Sequence, residues 1–224
     1  MPALSRAVED YLKAIWGLQQ EGRPVPTSRL AEALGLSPAA ATAMVKRMAR
    51  QGWVRHTPYL GVALTAAGER AALRIVRRHR VLEAFLAEVL GYPWDRVHAE
   101  AERLEHAASD ELIERLARLL GQPERDPHGS RIPDARGALP PEPATTLVQV
   151  PPGTRARVLE VRARDPQALR RLGARGLFPG AVVDVLPTRA ADVLRLRVEG
   201  RLRRLPVALA RHVRVAPLEP GIQG

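Results

Sequence analysis

The chain has no cysteine, which excludes a disulfide framework, a thiolate zinc site and thiol-based catalysis together. It has no apolar run approaching the roughly 18 to 20 residues needed to span a bilayer. The opening residues Met1-Pro2-Ala3-Leu4-Ser5 lack the basic region and apolar core of a signal peptide. Lysine is nearly absent as well, so the positive charge is almost all arginine. No internal repeat is apparent. These absences lead to the expectation of a soluble cytoplasmic protein with no membrane partner.

What is present is a globular balance of 224 residues, 46% hydrophobic and 26% charged, long enough for two domains with a real core. The net charge of +11 is the loudest compositional signal and points to a polyanionic partner, most simply nucleic acid. Codon bias or ion-pair networks are the alternative source of an Arg-rich composition.

From the N-terminus, Val8, Tyr11, Leu12, Ile15 and Trp16 recur at the period of an amphipathic helix, which ends near Glu21-Gly22. After Pro24-Val25-Pro26, Thr27 is positioned to cap a short helix over 28–33, broken by Gly35. Ser37 as N-cap and Pro38 as first helical residue open a third helix. Its apolar face is Ala41, Met44, Val45 and Met48. Its other face shows Ala39, Ala40, Thr42, Ala43, Lys46, Arg47 and Arg50. Two short helices around a tight turn, the second small-residued at its start and basic further on, form a helix-turn-helix pattern. Trp53-Val54-Arg55-His56, a turn at Pro58-Tyr59-Leu60-Gly61 and Val62-Ala63-Leu64 read as strand, turn, strand: a wing. The DNA-contacting candidates are Thr27, Ser37, Pro38, Ala39, Ala40, Thr42, Lys46, Arg47, Arg50 and Tyr59.

A long helical pattern follows through Leu73, Val76, Leu82, Phe85, Leu86 and Val89, and it carries His79 and Glu83 four residues apart. After Gly91-Tyr92-Pro93 a second helical run, to about Ala108, places His98, Glu102, Glu105 and His106 in one stripe at roughly 100° per residue. Neighbouring helices presenting imidazoles and carboxylates to each other are how bundle metal sites are built, and such ligand sets suit divalent first-row metals. A solvated helix face accounts for the same spacing. A last helix over 111–120, capped by Ser109-Asp110, has an apolar stripe of Leu112, Ile113, Leu116, Leu119 and Leu120 suited to packing or dimerisation.

From 123 to 152 the chain is rich in Pro and Gly and reads as a semi-rigid linker. Beyond it, short alternating runs at 155–161, 182–186, 193–198 and 201–206 and a closing run at 213–215, with a helical insertion at 165–172, predict a small, partly open β-barrel. The fold expected is mainly α with a C-terminal β domain: a winged helix-turn-helix at 1–72, a helical metal-binding and dimerisation domain at 73–122, a linker at 123–152 and an SH3-like domain at 153–217.

Glu9-Asp10-Tyr11-Leu12, Arg78-His79-Arg80 with Glu83, Val97-His98 followed by Glu102, Glu105 and His106, Asp126-Pro127-His128-Gly129 with Ile132-Pro133, and Gly176-Leu177-Phe178-Pro179-Gly180 together resemble the DtxR/MntR family of iron- and manganese-dependent transcriptional repressors, over essentially the whole length. The resemblance implies a homodimer that binds a divalent metal and then double-stranded operator DNA. It implies two metal ions per subunit, one at His79, Glu83 and His98, to which Asp165 and Gln167 fall near completing positions, and one at Asp10, Glu102, Glu105 and His106. Iron-type members carry Met and Cys where this chain has Asp10 and Glu102; manganese-type members carry Asp and Glu. Harder oxygen ligands favour Mn(II), with Fe(II) next. Manganese-type members also place a Glu where this chain has Lys13, which argues against a paired-metal cluster. Two rivals are a winged-helix regulator answering to a non-metal ligand and a helical metalloenzyme; the latter leaves the basic head unexplained, so no enzymatic activity is expected.

Overall fold

The computed structural model describes residues 4–163 and 165–218, and the chain divides into two compact units. The first comprises residues up to His79 together with Glu105–Asp110 and Pro133–Leu139; the second comprises Arg80–Leu104, Glu111–Ile132 and the chain from Pro140 on.

In the first unit, α1 (Arg6–Gln19) buries Val8, Tyr11, Leu12, Ile15 and Trp16, the face its period dictates. α2 (Thr27–Leu34) ends at Gly35, whose φ of +64° is the left-handed conformation that glycine adopts without strain. Thr27 is the first helical residue rather than the cap; Pro26 takes the cap position. α3 (Pro38–Arg50) begins as the sequence predicts, with the Ser37 hydroxyl accepting from Ala40 N at 3.2 Å. The wing is the antiparallel pair β1 (Val54–Thr57) and β2 (Gly61–Leu64), in register Val54 with Leu64 and Thr57 with Gly61. Val25 bridges to Val62 and so fastens the wing to the connector before α2. One core of α1, α2, α3, the wing and the start of α4 (Ala66–Glu88) holds these parts together.

The second unit contains α5 (Val97–Leu104), most of α6 (Asp110–Leu119) and an antiparallel sheet. Its strands are β3 (Thr145–Thr146), β4 (Arg155–Val161), β5 (Val182–Leu186), β6 (Val193–Val198), β7 (Arg201–Pro206) and β8 (Val213–Pro217), in the order β3-β8-β4-β5-β6-β7. α7 (Pro166–Gly173) lies between β4 and β5, and the short α8 (Val207–Ala210) between β7 and β8. Alternation along the strands buries Ala156, Val183, Val185, Leu196 and Val198 on one face. Trp94 packs against this core, its ring 4.8 Å from Phe178 and 5.8 Å from His128.

Two stretches differ from the sequence expectation. The second metal-domain helix stops at Leu104, so Glu105 and His106 sit in the turn beyond it rather than in a stripe with His98 and Glu102. Residues 123–134 are ordered: Arg125 bridges to Arg131, and Asp126, His128 and Ile132 are buried. Gly129, at φ +86°, lies so close to the Leu159 carbonyl that a Cβ would come within 2.1 Å of its oxygen. β3 then pairs with β8 from Thr145 onward, inside the expected linker.

Candidate functional site

In the first unit, α1 presents Glu9, Asp10 and Lys13 to the turn carrying Glu105 and His106. His106 is held at one ring nitrogen: Nδ1 lies 2.7 Å from Glu9 Oε2. Glu9 is steadied by Arg78 at 3.3 Å, and Arg78 also bonds the Glu105 carbonyl and Asp110 Oδ1. The other nitrogen, Nε2, lies 3.0 Å from Asp10 Oδ1 and 3.5 Å from Glu105 Oε1, yet it is buried and makes no hydrogen bond. A buried nitrogen left unsatisfied is costly. A carboxylate on one side of an imidazole and further carboxylates on the other is the arrangement that orients a metal-binding histidine. Asp10, Glu105 and His106 offer ligand atoms within 4.8 Å of one another. Their chemistry fits a divalent cation.

Glu105 is the centre of this cluster and is fully buried. Its Oε2 lies 2.6 Å from His79 Nδ1, and its Oε1 accepts from Lys13 Nζ at 2.6 Å. Burial works to raise its pKa, but His79 and Lys13 outweigh burial and hold the carboxyl below its ordinary range.

The second unit has its own set. Glu83 Oε1 lies 3.1 Å from His98 Nδ1 and 3.7 Å from His128 Nδ1. His98 Nε2 is 3.7 Å from Glu102 Oε1. His128 Nε2 donates to the Trp94 carbonyl at 2.7 Å, which fixes the ring's orientation and turns Nδ1 towards Glu83. Asp126 Oδ1 accepts from the backbone N–H of His128 and Ser130, and Oδ2 lies 3.7 Å from Arg80 Nε. Burial, with Glu83 beside it, pushes the Asp126 carboxyl up to about 7, against the pull of Arg80 and His128. His128 is raised: burial lowers it, but Glu83 and Asp126 prevail. Glu83, Asp126 and His128 form a buried group with ligand atoms within 4.8 Å, which fits a divalent cation as well as the first cluster does.

Of the predicted ligands, the structure brings Asp10, Glu105 and His106 together, and separately Glu83 with His98 and His98 with Glu102. His79 is one helical turn before Glu83 on α4 and pairs with Glu105. Asp165 is the N-cap of α7, its two oxygens accepting from Gln167 N and Ala168 N, and Gln167 lies exposed in the first turn of that helix. Sequence reasoning gave no role to Glu9, Asp126 or His128, although Glu9 adjoins Asp10 and Asp-x-His-Gly is a turn with two ligand types. On α3, Ser37, Pro38, Ala39, Ala40, Lys46, Arg47 and Arg50 are exposed, while Thr42 turns its hydroxyl back onto the Pro38 carbonyl. Tyr59, at the wing tip, is fully exposed with φ +64°.

A winged helix, buried imidazole–carboxylate clusters and a small β-barrel define a metal-responsive DNA-binding regulator. Residues 3–62 match "Iron dependent repressor, N-terminal DNA binding domain", residues 65–134 match "Iron dependent repressor, metal binding and dimerisation domain", and residues 145–217 match the FeoA domain. The chain is 33% identical over 227 residues to the iron-dependent repressor IdeR of Mycobacterium leprae, covering 96% of this chain and 99% of the relative. A solved manganese-dependent transcriptional repressor in complex with manganese superposes with a TM-score of 0.89 at 40% identity, covering 94% of this chain and all of that one. ScaR with bound Zn2+ superposes with a TM-score of 0.81 at 30% identity, covering 94% of this chain and 99% of that one. The chain belongs to the iron-dependent repressor family, whose members are DNA-binding transcriptional repressors and not enzymes.

Proposed function

We propose that this repressor is activated in the cytoplasm by Mn(II), with Fe(II) as the second effector, and that it binds two metal ions per subunit. The observation that carries the proposal is the buried His106 Nε2, which makes no hydrogen bond and faces Asp10 and Glu105. Asp10, Glu105 and His106 are the ligands of the first ion, and the family motif adds Glu102. Glu83, His98 and His128 are ligands of the second, with Asp126 beside them; the motif adds His79, one turn earlier on α4. In this reading Asp165 and Gln167 serve the start of α7. No helix among the described residues is long and apolar enough to cross a membrane.

A divalent cation supplies two positive charges to a cluster of three carboxylates, Glu9, Asp10 and Glu105. The rest is the work of the chain. Asp10 sits on α1, which packs against α2 and the wing strand β2. Glu105 and His106 sit on the turn that Arg78 holds through the Glu105 carbonyl. Drawing Asp10 to that turn fixes α1, and through α1 the position of the recognition helix α3. In a homodimer the two α3 helices must meet successive major grooves about 34 to 36 Å apart, so a small change in α1 decides whether operator DNA is bound. The exposed Leu112 and Leu119 on α6 suit a dimer face. DNA contact falls to the exposed start of α3, to Lys46, Arg47 and Arg50 for phosphate, to Thr27, and to Tyr59 on the wing.

The test is Mn(II) binding by chelator-treated wild-type, Asp10→Ala and Glu83→Gln proteins, followed by calorimetry. Each variant should lose one of two binding events and keep the other. Two intact events in both variants would overturn the ligand assignment.

A further inference from the structure

The larger share of the positive charge is not on the winged helix. Residues 153–217 carry fifteen arginines against five carboxylates, a net +10, whereas residues 1–72 carry nine cations against five carboxylates, a net +4. The stretch between these two segments is net negative. A DNA-binding head alone therefore does not account for the basicity of the chain.

Strand register places five of these arginines on one surface. The core-facing positions of β4 to β7 are apolar and buried at Ala156, Val183, Val185, Leu196 and Leu205. The alternate positions carry Arg155, Arg157, Arg195, Arg197 and Arg204, all exposed. Across the strands, Arg155 is opposite Asp184 and Asp184 opposite Arg197, while Arg195 is directly opposite Arg204. Like charges facing each other across a ladder destabilise a sheet, so this arrangement is set against the sheet's own stability and in favour of an external anion. The outward side of β4 to β7 also carries two carboxylates: Asp184, 3.5 Å from Arg155 Nε, and Glu160, bonded to Arg162 and the Ser130 hydroxyl. Among the described residues, no carboxylate lies within ion-pair distance of Arg157, Arg197 or Arg204.

We propose that this outer sheet face is a second, sequence-independent contact surface for the phosphodiester backbone of duplex DNA. Guanidinium groups pair with phosphate oxygens bidentately, and several of them on one sheet face present a broad cationic surface to a phosphate backbone. The outward positions of β4 to β7 hold no aromatic side chain on which unpaired bases could stack, which favours duplex over single strand. Duplex DNA is also the polyanion at high effective concentration around any operator-bound molecule; this last point rests on the family assignment, the charge pattern does not.

The experiment uses the full chain and its triple variant Arg195→Gln/Arg197→Gln/Arg204→Gln. Binding to a non-operator duplex of about three helical turns is followed by fluorescence anisotropy against salt, in chelator and in Mn(II). Each phosphate contact contributes about 0.9 to the slope of log K on log salt. The variant slope should be shallower by about 2 to 3 in both conditions, with circular dichroism and Mn(II) affinity unchanged. An unchanged slope in both conditions overturns the proposal. So does an unchanged DNA slope accompanied by loss of binding to phosphatidylglycerol vesicles or polyglutamate, which would assign the face to a different polyanion. Because the chelator arm needs no metal response, failure of metal activation is read separately from failure of this surface.

Discussion

Glu9 Oε2 lies 2.7 Å from Nδ1 of His106, and that contact decides which ring nitrogen faces the proposed metal centre. With Nδ1 held by a carboxylate, Nε2 is the nitrogen turned towards Asp10 and Glu105, and so the ligand atom of the proposed centre. Residues that orient a metal-binding imidazole in this way matter about 10- to 100-fold in affinity. Glu9→Ala should therefore weaken Mn(II) binding at this centre by about that factor while circular dichroism stays native. Equilibrium dialysis measures it, and affinity equal to wild type would place Glu9 outside the metal machinery.

Lys13 occupies an oxygen of Glu105 that the proposed metal centre would use. Its ammonium is 2.6 Å from Glu105 Oε1, where a cation already satisfies the carboxylate. Lys13→Met removes that cation and leaves a more negative cluster. Mn(II) affinity at the first centre should rise about tenfold, equivalent to about 1.4 kcal/mol. Calorimetry of the Glu83→Gln/Lys13→Met double variant isolates this centre, and weaker binding there would show that Lys13 organises the ligands instead.

The buried charges of the second unit give stability of opposite sign with pH. Glu160 is held below its ordinary range: burial raises it, but Arg162, the Ser130 hydroxyl and Arg80 lower it further. A depressed folded pKa stabilises above the unfolded value and is lost as pH falls through the folded one. Asp126, raised to about 7, runs the other way, and its contribution weakens as pH climbs from the ordinary aspartate range to about 7. In metal-stripped protein, Glu160→Gln should flatten the acid loss of thermal stability below about pH 4.5. Asp126→Asn should flatten the decline between about pH 4 and 7. Melting curves across pH decide both.

Gly129 has no room for a side chain, with the Leu159 carbonyl oxygen 2.1 Å from a would-be Cβ and φ at +86°. Gly129→Ala should disrupt the Asp126–Ser130 turn and weaken metal binding at the second centre, with binding at the first retained. A native-like two-site isotherm from this variant would contradict the role assigned to His128.

The winged helix was readable from sequence because its determinants are local: the Ser37 cap, Gly35, and the alternation either side of Tyr59. The end of α5 was not. No Gly or Pro separates Leu104 from His106, so helical spacing runs on in the sequence, and it is tertiary contacts, Arg78 to the Glu105 carbonyl and Lys13 to its side chain, that go with the turn. Residues 123–134 read as linker because Pro and Gly are dense there. Their order comes from Asp126 accepting two backbone N–H groups, which composition does not reveal. Asp10, Glu105 and His106 were all picked out from sequence, but their grouping and the part played by Glu9 needed the fold.

The measurement closest to the central claim is binding of chelator-treated protein to a labelled fragment of its own upstream DNA, with and without Mn(II), Fe(II) under anaerobic conditions, or Zn(II). Binding should appear only with metal, strongest with Mn(II), and should fade in acid as protons compete for imidazole and carboxylate. Equally tight binding in chelator would contradict metal activation and leave His106, Asp10 and Glu105 as a structural cluster.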